Sequence, residues 1–196
     1  EISLGLVGSE MCIRDSDRTR QELNSIWEQR LSQVTVQTNN RNDKEKFYGA
    51  LYRASFLPRT FNDVDGRYPS FSTGHPFRQS ANGRNYYEDY SMWDTYRALH
   101  PLVNILTPKK AGDMMQSLVD KYEQGGWLPI FPCWNSYTAA MIGDHCISAL
   151  GDAYIKGIRN FDINKACEGM LRNAFRTPAT YEEYKNGMGR RALNSY

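Results

Sequence analysis

Apolar residues recur at helical spacing through most of this chain and lose that spacing in the long intervals between. Leu23, Ile26, Trp27, Leu31 and Val34 step by three and four residues and predict a helix over Arg18–Gln37. The polar run Thr38 to Asn42 interrupts it, and Asp43 is placed to cap a second helix carrying Phe47, Ala50, Leu51 and Ala54 on one face. Pro58 bounds that helix. A third pattern starts at Ser91 and passes through Trp93, Tyr96, Leu99, His100 and Val103, with a kink or finish expected near His100 because Pro101 follows. Thr107-Pro108 restarts a helix, Ala111, Met114, Met115, Leu118 and Tyr122 form its face, and Gly125 closes it.

Two further helices follow. Ile142, Cys146, Ala149 and Ala153 predict one over Thr138–Lys156, closed by Gly157. Asp162 caps another, whose buried face runs from Ile163 through Ala166, Cys167, Met170 and Leu171 to Phe175 before Pro178. Tyr181 to Asn186 begins one more. Arg59 to Tyr87 has no such period. Asn62-Asp63, Asp65-Gly66, Gly74-His75-Pro76 and Asn82-Gly83 are turn signals, with extended pieces near Arg67 to Phe71. A loop of that length in a compact domain usually carries function or disorder. Asp63-Val64-Asp65-Gly66 resembles the start of a calcium-binding EF-hand loop, but Phe61 and Ser72 occupy ligand positions. Leu128 to Pro132 is extended, since Pro129 and Pro132 exclude helix. Hairpins of helices joined by motif-bearing loops predict an all-α toroid, and no internal repeat supports a solenoid.

Composition narrows the classes of function. The 196 residues are 40% hydrophobic and 23% charged, with a formal net charge of +2. That balance offers no basic stripe for nucleic acid, and no apolar run is long enough to span a bilayer. Cys133, Cys146 and Cys167 show neither C-x-x-C spacing nor paired histidines, so neither a zinc site nor a disulfide framework is expected. Cys146 and Cys167 read as small buried hydrophobes. Residues 1–16 differ from the rest: Met11-Cys12-Ile13-Arg14-Asp15-Ser16 looks like a translated library adapter on a metagenomic fragment. The expectation is that 1–16 is non-native and unpacked, the alternative being a strand over Ile2–Val7. It lacks the basic and small-residue flanks of a signal peptide.

Aromatics make up 13% of residues, and three of the four tryptophans lie between Tyr90 and His145 beside polar groups. Trp93 precedes Asp94, Trp134 precedes Asn135, and Trp127 follows Gly125-Gly126. An aromatic plane with a neighbouring carboxylate or amide suits a sugar ring, covering its C–H face while the polar group takes hydroxyls. The spacing alone favours a core ring beside a capping carboxylate, since capping Asp residues are common.

The wording of these stretches resembles glycoside hydrolase family 92, the calcium-dependent exo-α-mannosidases. Ser91-Met92-Trp93-Asp94-Thr95-Tyr96-Arg97, Gly125-Gly126-Trp127-Leu128-Pro129, Met141-Ile142-Gly143-Asp144-His145 and Phe61 to Tyr68 carry the likeness. It implies a partial (α/α)6 barrel, with 17–196 as the N-terminal half of the catalytic domain and long motif-bearing loops. It further implies a fragment of an inverting exo-α-mannosidase acting on N-glycan or mannan α-mannosides. The alternatives are another (α/α)6 carbohydrate-active enzyme or a non-catalytic helical carbohydrate-binding protein.

The same resemblance marks Trp93 and Asp94 as walls of the mannose pocket, with Asp65, Trp127, Trp134, Asp144 and His145 as further substrate-binding candidates. The general acid Glu and base Asp are expected beyond Tyr196, so no catalytic residue is assigned, and the fragment is expected to be inactive. Calcium is the implied cofactor, with ligands mainly outside the fragment and no metal ligand assigned here. Mannose-containing glycans are the implied partners, and the intact parent is expected in the periplasm or outside the cell.

Overall fold

Pro108 opens the helix on which the larger part of the molecule is built, α5 (Pro108–Gly125). At the first helical position its missing N–H removes no hydrogen bond. Ala111, Met114, Met115, Leu118 and Val119 are almost wholly buried, and Tyr122 nearly so. Each aliphatic side chain removed from water contributes roughly 1.5–3 kcal/mol. Around it pack α4 (Leu99–Leu106), α6 (His145–Ile155) and α7 (Ile163–Phe175). Val103, Cys146, Ala149, Leu150, Ala153 and Ala166 complete the shared core. The computed structural model describes residues 4–72, 74–138, 140–141, 143–181 and 183, with backbone alone for 4–14 and 82.

The chain falls into two compact units, Glu1–Ser55 and Phe56–Tyr196. The first is a helical hairpin of α1 (Leu4–Leu31) and α2 (Arg41–Arg53). Trp27 meets Tyr52 with ring centroids 4.5 Å apart, and the Tyr48 hydroxyl donates to the Val34 carbonyl at 3.0 Å. In the second unit the segment before α4 forms α3 (Met92–Thr95) and two antiparallel ribbons. One pairs β1 (Arg59–Thr60) with β4 (Tyr87–Glu88), the other β2 (Arg67–Pro69) with β3 (Phe77–Gln79). A third joins β5 (Pro132–Cys133) to β6 (Ser136–Tyr137) between α5 and α6. The protein is therefore helix-rich, and the all-α expectation needs these three ribbons added in its loops.

The connection 126–144 places the end of α5 and the start of α6 at one end of the helical layer. Asn173, near the end of α7, reaches the same place: its amide donates to the Leu128 carbonyl at 3.1 Å and accepts from Leu128 N at 3.3 Å. All the loops carrying the sequence motifs after Gly125 therefore gather at that end.

Several boundaries differ from the hydrophobic pattern. α1 begins at Leu4 and ends at Leu31 instead of spanning 18–37, so the change in wording near Ser16 leaves no break in the helix. Leu4 to Val7 are helical, which excludes a strand there; residues 1–3 lie outside the described residues. Asn40, not Asp43, caps α2, its side-chain oxygen accepting from Asn42 N at 3.0 Å. Asp43 lies one turn inside, where its charge favours the positive end of the helix.

The helix from Ser91 breaks at 96–98 and resumes at Leu99, so Pro101 falls in the first turn of α4, where its N–H is not needed. α6 starts at His145, seven residues after Thr138. Met141 at φ 53° and Gly143 at φ 134° hold backbone conformations that a right-handed helix cannot contain. Ile142, expected on its apolar face, lies outside the described residues, as does most of the helix expected from Tyr181. α7 matches its expectation at the start: the Asp162 carboxylate accepts from Lys165 N at 2.9 Å. Cys146 is buried as expected, but Cys167 is exposed, because it projects from the outer side of α7. Among the described residues no helix is long and apolar enough to cross a membrane.

Candidate active-site wall

The segment Tyr86 to Tyr90 is clamped to α5 by a buried charge. Lys121 Nζ lies 2.7 Å from Glu88 Oε2 with both side chains wholly buried, and it donates to the Tyr87 carbonyl at 2.6 Å. The approach to Glu88 is close but poorly angled for a hydrogen bond, so the attraction there is chiefly charge against charge. The ammonium also sits 3.9 Å over the Tyr86 ring and 5.4 Å over that of Tyr90. Burial pushes the Lys121 pKa down, and Glu88 opposes the shift. Tyr90 is held further by donating to the Met114 carbonyl at 2.6 Å. This fixes the base from which the loop residues project.

From that base the next residues reach in two directions. Asp89 accepts from Arg59 Nε at 2.7 Å, pairs with the second guanidinium nitrogen, and accepts from Trp134 N at 3.0 Å. Tyr90 N donates to the Pro132 carbonyl at 3.1 Å. Ser91 Oγ donates to Asp94 Oδ2 at 2.9 Å. The three consecutive residues therefore anchor the β5–β6 hairpin and the start of α3 together.

The backbone here is strained. His75, Asp89, Ser91, Trp134, Asn135 and Met141 are the non-glycine residues with positive φ among those described. All lie in the loops and none in a helix, and conformations of this kind persist where surroundings enforce them, commonly at functional sites.

Trp93 is 41% exposed and Asp94 is exposed beside it. One turn along, the Arg97 guanidinium lies 4.9 Å from the Trp93 ring centroid and 5.0 Å from that of Tyr96. Tyr96 stacks in turn on His145, at 4.1 Å with 9° between the planes. Helical spacing supplies the Trp93–Arg97 contact, while only the fold brings α6 to Tyr96. The result is a continuous stack, Trp93–Arg97–Tyr96–His145, with the Asp94 carboxylate at its exposed edge. Such an edge offers an aromatic surface, a hydrogen-bond acceptor and a positive charge to a polyhydroxylated ligand.

The other candidates divide. Asp144 receives the Asn173 amide at 3.2 Å, which ties it to Leu128 and makes it a brace for the loop beside His145. Trp127 is 1% exposed, with Arg172 stacked 4.6 Å over its ring, so it is a core residue in this chain and not a wall of any open cleft. Gly125 beside it admits Tyr137, whose hydroxyl donates to the Trp127 carbonyl at 2.6 Å; a Cβ at Gly125 would lie 2.3 Å from that hydroxyl. Trp134 stands 81% exposed at the hairpin tip.

Asp65 shapes a turn: it accepts from Arg67 N at 2.9 Å and from Arg67 Nε at 2.5 Å. The Arg67 backbone N–H, then its guanidinium, lower the Asp65 pKa. Its partners belong to its own ribbon, not to the Trp93 stack. His100 is fully buried and neutral, burial holding its pKa down to about 4.

Comparison with known proteins decides the family. The description "Glycosyl hydrolase family 92 catalytic domain" matches residues 7–196. The chain belongs to glycoside hydrolase family 92. Among solved structures it is similar to a family 92 α-mannosidase from Bacteroides thetaiotaomicron, with 32% identity, a TM-score of 0.77, and coverage of 86% of this chain and 22% of that one.

The mannoimidazole complex of that α-mannosidase gives 32% identity and a TM-score of 0.76 over 84% of this chain and 22% of that one. A family 92 inverting mannosidase from B. thetaiotaomicron VPI-5482 gives 27% identity and a TM-score of 0.76, over 89% of this chain and 23% of that one. No curated protein matches the chain. The family 92 chain described here thus spans about a fifth of the length of these structures.

Calcium does not fit the residues present. Among the described residues no group of three or more His, Cys, Asp or Glu side chains is arranged to hold a metal ion. In the acidic pair nearest a calcium-loop spelling, Asp63 Oδ1 accepts from Val64 N and both Asp65 oxygens accept from Arg67.

Sequence reasoning missed Arg59 and Asn173. Arg59 follows a proline at the start of a loop and carries no motif. Asn173 sits on a helix whose apolar period hides its polar role. Asp89 was visible only as one carboxylate among several near the motif.

Proposed function

We propose that this chain is part of an inverting exo-α-mannosidase, supplying one wall of the pocket that holds the terminal mannose. The carrying observation is the exposed Trp93–Asp94 edge, stacked through Arg97 and Tyr96 onto His145 in a chain of family 92. Trp93 covers the apolar face of the sugar, Asp94 accepts its hydroxyls, and Arg97 holds the aromatic edge in place. The helical layer around α5 forms roughly the first half of an (α/α)6 barrel. The similar α-mannosidases, one of them solved with mannoimidazole, support mannose-containing glycans as substrate.

The proton transfers fall to carboxylates elsewhere in the parent. An inverting glycosidase needs an acid and a base separated widely enough to admit a water. Glu88 is sealed against Lys121, Asp89 is committed to Arg59 and the Trp134 amide, and Asp144 receives Asn173. Glu88 and Asp89 are buried, and Asp144 is half-buried. Calcium enters the reading as a requirement of the parent, met by residues outside the described ones.

The test uses the parent enzyme with an α-1,2-linked mannobiose. Asp94→Ala should lower kcat/KM by a factor corresponding to several kcal/mol, since hydroxyl contacts and pocket groups lose their partner. The first mannose released should be the β-anomer by NMR. Near-normal turnover by the variant would remove Asp94 from the pocket, and an α-anomer would remove inversion.

A further inference from the structure

Asn173 is wholly buried, and every hydrogen-bonding group of its side chain is engaged. The side-chain oxygen accepts from Leu128 N at 3.3 Å. The nitrogen donates to the Leu128 carbonyl at 3.1 Å and toward the two Asp144 oxygens, at 3.2 and 3.4 Å. Leu128 and Asp144 lie at opposite ends of the connection between α5 and α6, so one amide closes its neck. Gly169, one turn back on α7, permits the approach: a Cβ there would lie 2.9 Å from Leu128 Cγ. The geometry calls for an amide, which carries two donors and an acceptor on one planar group. Aspartate has the same shape and no hydrogen to donate.

The neck leads to the exposed edge through printed contacts of side chain on side chain. The backbone just before Asp144 is not helical, with φ of 53° at Met141 and 134° at Gly143, so helical hydrogen bonds do not hold it and the Asn173 amide does. Asp144 is followed by His145, the first residue of α6. The His145 ring stacks on Tyr96 at 4.1 Å. Arg97 lies 5.0 Å from the Tyr96 ring and 4.9 Å from that of Trp93. Closely packed groups transmit a displacement instead of absorbing it. The place of Asp144 therefore bears on the place of Trp93.

We infer that Asn173 is a positioning residue of the Trp93–Asp94 edge: by tying Asp144 to Leu128 it sets the start of α6, and through His145, Tyr96 and Arg97 the place of the Trp93 ring. This rests on the mannosidase reading and adds a buried residue of α7 to the determinants of substrate affinity. Asp144 works through the same contact. Its carboxylate serves as the acceptor for the Asn173 amide and not as a ligand of the sugar.

The test is steady-state kinetics of the parent enzyme on α-1,2-linked mannobiose, with a melt of each variant. Asn173→Asp loses both donors and sets a like charge against Asp144. It should raise KM about 3- to 10-fold with kcat within about twofold, because the stacked ring face is held alike in the ground and transition states. Adding Asp144→Asn restores an amide–carboxylate pair in reverse order and should bring KM most of the way back. Tm should stay low in that double variant, since the Leu128 carbonyl still lacks its donor. Asn173→Ala, which adds no charge and serves if Asn173→Asp does not fold, should raise KM similarly, and Asp144→Asn should not relieve it. A lower Tm with KM unchanged in the Asn173 variants would make the amide a purely structural brace and overturn the inference. So would a KM that Asp144→Asn raises further in the Asn173→Asp background, because Asp144 would then act on the sugar directly. No turnover of mannobiose by the unaltered parent would overturn the mannosidase reading itself, a failure distinct from the other two.

Discussion

The helical layer around α5 and the loops at its end solve opposite problems. In the layer, Met114, Met115, Leu118 and Leu150 are buried at ordinary helical geometry, and stability comes from apolar area removed from water. At the loop end, six non-glycine residues hold positive φ, Trp93 and Trp134 face solvent, and polar bonds fix the backbone. The layer follows local preference and the loops violate it. Strain is tolerated there because the two regions are joined by a rigid connector, the Glu88–Lys121 pair. A region that breaks local rules at an exposed edge is spending stability from the layer to hold a geometry.

The connector gives the largest expected effect. Lys121→Met or Glu88→Gln leaves the other partner buried and uncompensated, which costs about 3–5 kcal/mol. The double variant should recover much of that loss, since replacing both members of a buried pair with groups of similar volume is often near neutral. Urea melts of the three variants check it, and additive losses would mean that the two residues do not act as a pair.

His100 tests the layer alone. Burial holds its folded pKa at about 4, below the unfolded 6.5, so the folded state keeps it neutral while the unfolded state takes up a proton. Stability is therefore full above about pH 6.5 and falls as pH drops toward about 4, by about 3 kcal/mol in all. Melts between pH 7 and 4 should show this slope, and His100→Gln should flatten it. An unchanged slope in the variant would assign the pH dependence to other groups.

Asp94→Ala probes the loop end and gives the smallest effect on folding. Its side chain is exposed and bonded only locally to Ser91, so the change in stability should stay within about 0.5 kcal/mol. A measured loss of 2 kcal/mol or more would mean that this edge supports the fold, and the contrast between the two regions would fail.

Much of the layer was legible in the chain. The Thr107-Pro108 start, the Met114–Leu118 face and the Asp162 cap are local signals, and the structure keeps each of them. The apolar faces divide, however: Met114 and Leu118 are covered by neighbouring elements, while Phe175 is 75% exposed and Leu171 is exposed beside it. Periodicity shows which face is apolar and not what covers it. The shortened start of α6 escaped the pattern, and the interruption expected near His100 falls slightly earlier, at 96–98, because apolar spacing continues through backbone that positive φ and turns have already bent.

By itself the sequence determined the helical segments, the loops between them and the Trp93–Asp94 motif, since period, caps and turn residues act within a few positions along the chain. The tertiary structure alone decided that Trp127 is core and Trp134 is surface, although both stand beside polar or glycine neighbours in similar wording. It also decided that Tyr96 stacks on His145, that Asp89 joins Arg59 to the Trp134 turn, and that Asn173 braces Asp144. These contacts link residues from 29 to 49 positions apart. Burial and stacking at such separations depend on how helices pack, and no local preference along the chain encodes that packing.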